Sequence, residues 1–170
     1  TRTGTNLSAD ITTCSLAPSE VSLQIASSGH WQLIRNGTPY AIRGAGGFTH
    51  LELLRDLGGN TIRTWSTDQL DPNPTGFSVL DQCTKLGLTA MVGLWVTHPR
   101  HGFDYGDQAM LLAQRDRIRS DVRKIRHHPA VLMWGLGNEM EGDGQDPRVW
   151  RELEVLTQII KAEDPNHPVC

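Results

Sequence analysis

Stretches with the apolar pattern of strands alternate with stretches patterned as helices along most of the chain. From residue 42 onward, strand-like segments of apolar and β-branched residues occupy 42–45, 60–65, 88–96 and 130–136. Each is followed by a segment in which apolar side chains recur every three or four positions, as on one face of a helix. Four strand–helix units in series predict parallel strands joined by helical crossovers.

Residues at the ends of the predicted helices agree with this order. Thr49 and Glu52 have the spacing of a helix capping box, and Gly58 is a typical helix end. Asp146-Pro147 is a favourable start for the fourth helix, because an acceptor side chain precedes a residue that needs no donor. The segment 167–169 then predicts the approach to a fifth strand.

The first 30 residues are rich in Ser and Thr and poor in apolar residues. Within them, only 21–25 alternates apolar and polar positions like a half-buried strand. We therefore expect residues 1–30 to be a linker or the end of a preceding domain, and residues 31–170 to form the main domain. Near its start, Asn36-Gly37 separates two strand-like segments and predicts a tight β-hairpin.

Two architectures fit four βα units: an open doubly wound sheet, or half of an eight-stranded barrel. The glycine-rich segment 44–47 does not match the phosphate-binding pattern GxGxxG, which weakens the nucleotide-binding form of the first architecture. A complete barrel needs about 250 residues. A chain of 170 residues would therefore hold roughly half of one.

Composition and charge exclude several classes of function. The net charge of -3 does not suggest binding to nucleic acid or to a membrane surface, and no apolar run reaches the roughly 18 residues of a membrane span. The three cysteines, Cys14, Cys83 and Cys170, are far apart and lack metal-ligand spacing, so no metal is expected. Because the chain begins with Thr1, we expect it to be processed or cut from a longer protein. The cysteines do not settle the compartment, and we expect an extracellular or periplasmic location.

The strand-like segment 130–136 leads directly to the main candidate for chemistry. It continues through Gly137 to Asn138 and Glu139. A carboxylate just past a buried strand is costly unless it faces a polar cleft, and the carboxyl ends of parallel strands are where ligands bind. The alternative is that Glu139 caps the next helix or lies in solvent.

Three segments resemble the barrel domain of family 2 glycoside hydrolases, from the clan of retaining β-glycosidases that includes β-galactosidases and β-glucuronidases. They are 40–44, 59–65 and 134–139, and the resemblance runs from about Trp31 to the end. It implies an α/β fold, the (β/α)8 TIM barrel, here with about four βα units after a β-hairpin. The second strand and the Asn-Glu pair also resemble fungal-type β-glucanosyltransferases of the same clan.

The resemblance implies a carbohydrate substrate, no cofactor and a role for each of five residues. Glu139 would be the general acid/base, and Asn138 would bond the sugar 2-hydroxyl. Arg63 would place a cation beside the nucleophile, the alternative being a salt bridge at the strand end. Trp65 would stack on a sugar face, unless it only fills the barrel. His98, after the third strand, would contact the substrate.

One departure from the family concerns the second carboxylate. In the family the nucleophile lies at the end of the seventh strand, whereas this chain ends before its fifth. The nearby acids Glu141, Asp143 and Asp146 do not replace it, since they point elsewhere or belong to the following loop and helix start. We therefore expect little or no glycosidase activity from this chain alone, with a non-catalytic carbohydrate-binding half barrel as the alternative. Open edges on the first and fourth strands predict self-association.

Overall fold

The computed structural model describes residues 17–70, 78–140 and 145–170. Three antiparallel strands begin it: β1 (Val21–Ile25), β2 (Trp31–Arg35) and β3 (Thr38–Pro39), in the order β1-β2-β3. Asn36 and Gly37 connect β2 to β3 with φ values of 50° and 76°, the left-handed conformation that this turn requires. The predicted hairpin is confirmed, with a second strand of only two residues.

Strand β1 belongs to the same folded unit as the parallel strands. β1 pairs with β2 along its whole length. The Val21 amide donates to the carbonyl of Asn166 at 2.8 Å, and the Ser19 side chain is buried. The boundary that we expected after residue 30 therefore falls inside a hairpin. The expectation of a linker over residues 1–16 lies outside the described residues.

Four parallel strands form the second sheet. They are β4 (Gly44–Gly46), β5 (Thr61–Arg63), β6 (Thr89–Leu94) and β7 (Val131–Leu136). Each strand pairs with the next along the chain, in the order β4-β5-β6-β7. A doubly wound sheet reverses its strand order at a switch point, whereas a barrel wall does not. The sequential order therefore supports the barrel.

Helices follow the parallel strands as the apolar pattern predicted. They are α1 (Leu51–Asp56), α2 (Val79–Leu86), α3 (Gln108–Ile125) and α4 (Pro147–Glu163). Two short 3-10 helices cover Thr67–Leu70 and Pro99–His101. Within the described ranges, no helix has both the length and the apolar character needed to cross a membrane.

Three of the helices begin with a capping side chain, and one does not. Ser78, Asp107 and Asp146 each accept a hydrogen bond from a backbone amide in the first turn of α2, α3 and α4. The capping box predicted at Thr49 is wrong. The residue before α1 is His50, which has a φ of 55° and makes no capping hydrogen bond through its side chain.

The main core lies between the parallel sheet and the helices. Cys83 in α2 is fully buried there, and this burial raises the pKa of its thiol to about 12. Trp134 in β7 is also fully buried, and its indole N–H donates to Asp164 at 2.8 Å. A smaller cluster joins Val21 and Leu33 of the hairpin to β7.

The last residues begin a fifth parallel strand. Val169 forms a parallel bridge with Trp134, and the Cys170 amide donates to the Trp134 carbonyl at 2.9 Å. The predicted approach to a fifth strand is confirmed. The expectation of an open edge on the fourth parallel strand is wrong over this stretch. The outer edge of β4 has no strand partner among the described residues.

Candidate active site

The chain changes direction just after β7, at the carboxyl end of the parallel sheet. Gly137 has a φ of 75°, and Glu139 has a φ of 53°, which is unusual for a residue with a side chain. The Glu139 carboxylate is 70% exposed, so the turn presents it to solvent. Asp146 caps the α-helix that follows, and Glu139 is therefore not that helix's cap.

Arg63 and Asn138 bring the ends of two strands together. Arg63 is the last residue of β5, and its Nη2 donates to Asn138 Oδ1 at 3.0 Å. The guanidinium carbon lies 5.8 Å from the centroid of the Trp65 ring. Three of the residues singled out in the sequence thus form one connected group, next to Glu139.

A cation that the sequence analysis missed lies near Glu139. Arg100, in the loop after β6, has its Nη2 3.9 Å from Glu139 Oε2. The Arg100 side chain is 48% exposed, and an exposed pair at this distance contributes roughly 0–1 kcal/mol. No sequence signal marked Arg100, because its position depends on how the loop folds back over the end of β7.

A cleft of about 570 Å³ opens beside these residues. It contains the three candidates Arg63, Asn138 and Glu139, and its wall includes side chains from β6, α4 and the chain end. The complete lining is Arg63, Met91, Gly135, Leu136, Gly137, Asn138, Glu139, Met140, Trp150, Leu153, Thr157, Val169 and Cys170. The cleft has a volume typical of small-molecule sites.

Trp65 and His98 lie outside this cleft lining. Trp65 is half-buried beside Arg63. His98 is fully buried, with its ring 5.7 Å from that of Trp95 and 5.6 Å from that of His101. A sugar would reach His98 only after these aromatic neighbours moved.

The charges around the cleft suit proton transfer better than metal binding. The described residues contain no group of three or more His, Cys, Asp or Glu side chains that would hold a metal ion. Burial raises the pKa of the Cys170 thiol, and the nearby Arg63 opposes this rise. An exposed carboxylate beside an amide and a guanidinium can exchange a proton with a bound oxygen while its neighbours hold that ligand.

A carboxylate at the carboxyl ends of parallel βα strands defines the catalytic face of a barrel enzyme. The profile described as "Glycosyl hydrolases family 2, TIM barrel domain" matches residues 52–170. This range covers more than half of the chain. The chain therefore belongs to glycosyl hydrolase family 2, and its parallel sheet is part of that family's TIM barrel.

Individual relatives agree with this assignment. A β-galactosidase of Bacteroides ovatus is 30% identical over 94 residues, which cover 54% of this chain and 10% of the relative. A β-glucuronidase of Bacteroides fragilis is 28% identical over 119 residues, which cover 68% of this chain and 16% of the relative. The chain thus spans less than a fifth of the length of these curated relatives.

A solved structure shows the same fold. The crystal structure of a β-galacturonidase from Eisenbergiella tayi, bound to galacturonate, matches with a TM-score of 0.65 at 21% identity. The match covers 89% of this chain and 27% of the solved chain. At this identity the likeness concerns the barrel fold alone.

Proposed function

We propose that the chain carries the general acid/base half of the active site of a retaining β-glycoside hydrolase. Glu139 first protonates the oxygen of the leaving group and then, as a carboxylate, activates water. The observation that carries this proposal is the position of Glu139. It lies at the carboxyl end of β7, exposed at the cleft, in a chain of family 2.

The surroundings of Glu139 support this role. Asn138 lies in the same cleft and can bond a sugar hydroxyl, an interaction that favours catalysis if it strengthens in the transition state. The Arg63 Nε atom is buried and lacks a hydrogen-bond partner among the described residues. A buried donor without an acceptor is costly, so Arg63 suits a second carboxylate placed beside it.

The second carboxylate is the part that this stretch of chain does not supply. Glu139 is the one carboxylate among the described residues that line the cleft. A retaining mechanism needs two, about 5–5.5 Å apart. Glu141 and Asp143 lie outside the described residues, whereas Asp146 caps α4. We infer that the nucleophile comes from a further strand of the barrel and that residues 1–170 alone have no turnover.

The substrate class follows from the family and the named relatives. Those relatives are a β-galactosidase and a β-glucuronidase, so we infer a β-linked carbohydrate for this protein. The two names differ in the sugar. We therefore infer a β-linkage to the sugar and do not assign one particular sugar.

The test uses the polypeptide as its source organism produces it, assayed on a panel of aryl β-glycosides. We expect Glu139→Ala to reduce turnover strongly and added azide to restore part of it, because azide is already an anion and attacks the glycosyl–enzyme in place of water without a base, which releases the nucleophile and yields the β-glycosyl azide. The matched control is Glu154→Ala, which removes the same group from the exposed surface of α4 and should leave turnover unchanged. Unchanged turnover in Glu139→Ala would remove Glu139 from the mechanism.

Two further measurements distinguish the remaining alternatives. Free sugar as the main product supports hydrolysis, whereas transfer to an added sugar acceptor would assign a transferase. Sugar binding without turnover in the complete polypeptide would assign a binding protein. For the isolated chain, we propose association through the outer edge of β4, which light scattering would detect.

A further inference from the structure

Trp65 occupies a space that two glycines leave for it. A Cβ atom at Gly46 in β4 would lie 3.1 Å from the Trp65 ring, and one at Gly93 in β6 would overlap the Trp65 backbone. The Trp65 amide also donates to Gln69 Oε1 at 2.7 Å. Residues from β4, from β6 and from the first 3-10 helix thus fix both the ring and the backbone of Trp65.

The face of this held ring is directed to Arg63 rather than to the cleft. The guanidinium carbon of Arg63 lies 5.8 Å from the ring centroid, within the range of a cation–π interaction. Trp65 is absent from the cleft lining, whereas Arg63 is part of it. The contact therefore restricts the guanidinium, which would otherwise move on a flexible side chain.

The guanidinium in turn selects one orientation of the Asn138 amide. An asparagine side chain has one acceptor, Oδ1, and one donor group, Nδ2, and arginine has donors only. Arg63 donates to Oδ1 at 3.0 Å, so this oxygen faces the guanidinium and one of its two lone pairs is used. The Nδ2 group is the only donor of Asn138 and lies on the other branch of the planar amide, so it is the donor that Asn138 offers to a ligand in the cleft.

We propose that Trp65 is a positioning residue, which acts through Arg63 to hold Asn138 with its Nδ2 donor turned to the substrate. This role differs from the direct stacking on a sugar that the sequence suggested. The inference rests on the proposed function, in which Asn138 bonds a sugar hydroxyl, and it takes this hydroxyl to be the 2-hydroxyl that the sequence resemblance implies.

The first test compares a β-glycoside with its 2-deoxy analogue in the complete polypeptide. On the normal substrate, Trp65→Leu should lower kcat/KM roughly tenfold, mainly through kcat, as expected when an interaction of the transition state is lost. On the 2-deoxy analogue, the loss should fall to about threefold or less, and this remainder measures the effect on the second carboxylate that we place beside Arg63. Trp65→Phe keeps an aromatic face and should recover most of the loss.

A stacking role for Trp65 would give a different result. Trp65→Leu would then raise KM on both substrates by similar factors, and this outcome would overturn the proposal. The double variant Trp65→Leu with Asn138→Ala provides a further check. If Trp65 acts through Asn138, Trp65→Leu should cost clearly less in the Asn138→Ala background than in the wild type, whereas equal costs in the two backgrounds would contradict the proposal.

The second test does not depend on turnover. In the ¹⁵N-labelled complete polypeptide, the side-chain amide signal of Asn138 is assigned by its loss in Asn138→Asp. Trp65→Leu and Trp65→Phe should shift this signal, with the smaller shift in the Phe variant. The control Trp31→Leu changes an exposed tryptophan on the hairpin and should leave the signal in place.

The two tests separate the inference from the proposed function. An Asn138 signal unchanged in both Trp65 variants overturns the positioning role, whatever the activity. A shifted signal in a protein that hydrolyses no β-glycoside supports the positioning role and overturns the proposed function.

Discussion

Both ends of the parallel strands carry polar side chains, but their hydrogen bonding differs. At the amino ends, the Tyr40 hydroxyl lies 2.9 Å from the Asn60 carbonyl oxygen and 3.0 Å from the Thr89 hydroxyl. At the carboxyl ends, Glu139 is exposed and the Nε of Arg63 has no partner among the described residues. The hydroxyl groups of Tyr40 and Thr89 at the amino ends are satisfied internally, whereas Glu139 and Arg63 at the carboxyl ends keep groups for a ligand.

A buried chain of hydrogen bonds, which we call the relay, joins Ser19, His167 and Asp164 near the amino ends of the strands. His167 Nδ1 lies 2.7 Å from Asp164 Oδ2, and His167 Nε2 lies 3.0 Å from Ser19 Oγ. These residue types also form nucleophilic triads. Here they are exposed by only 1% for Ser19, 0% for His167 and 2% for Asp164. A substrate cannot reach them, so the relay serves structure.

Hydrogen bonds connect the relay to the surrounding chain. The Ser19 hydroxyl donates to the Val131 carbonyl, at the start of β7. The Trp134 indole N–H donates to Asp164 Oδ2. Burial tends to raise the pKa of Asp164, but hydrogen bonds from His167 and Trp134 and the charge of His167 hold it below its usual value. The relay is a buried hydrogen-bonded group that joins the start of the described chain to its end.

The largest expected effect is a loss of activity on changing Glu139, at the carboxyl ends of the strands, with the fold left intact. Glu139→Gln should lower kcat/KM of the complete polypeptide about a thousandfold, the usual scale of general acid/base catalysis. The free energy of unfolding should change by less than about 0.5 kcal/mol, since the side chain is exposed. Steady-state kinetics and urea unfolding measure the two quantities. A large loss of stability would mean that Glu139 is part of the framework.

At the amino ends of the strands, we expect a substitution to cause a large loss of stability. Asp164→Asn removes a buried carboxylate that is hydrogen-bonded to His167 and Trp134, and it should lower the free energy of unfolding by about 3 kcal/mol, measured by urea unfolding of the complete polypeptide. The control is Asp56→Asn, which removes one charge of the exposed pair with Arg55 and should cost less than about 1 kcal/mol. Equal effects at the two positions would show that burial does not distinguish them.

The pH dependence of stability should come from the same buried carboxylate. The pKa of Asp164 is lower in the folded chain than in the unfolded chain, where it is about 3.9. Its stabilising contribution is therefore complete above about pH 5 and is lost as the pH falls through the folded value. Unfolding measured from about pH 5 to about pH 2 should show a smaller loss in Asp164→Asn than in wild type. Parallel curves would exclude this source.

The smallest expected effect concerns the hairpin beneath the barrel. Gly37 has a φ of 76°, and a Cβ there would meet no atom within 4 Å. Gly37→Ala should therefore cost only about 1 kcal/mol, from backbone conformation alone. Urea unfolding should detect this change, and turnover of the complete polypeptide should stay at the wild-type level.

The sequence by itself determined the elements and the main candidate for chemistry. Apolar spacing depends on local geometry, which is why the parallel strands and the helices were predicted correctly. The segment 134–139 was specific enough to indicate the family that the profile match then showed. Local signals were weaker at the start of α1, where His50 rather than Thr49 precedes the helix.

Only the tertiary structure decided which side chains meet. Arg63 and Asn138 are 75 positions apart in the chain, and Ser19 and His167 are 148 apart. Such contacts depend on the strand order and on how each loop returns, which spacing along the chain does not encode. The sequence suggested that His98 and Trp65 contact a sugar. In the structure, His98 is buried and the Trp65 ring faces Arg63, for the same reason.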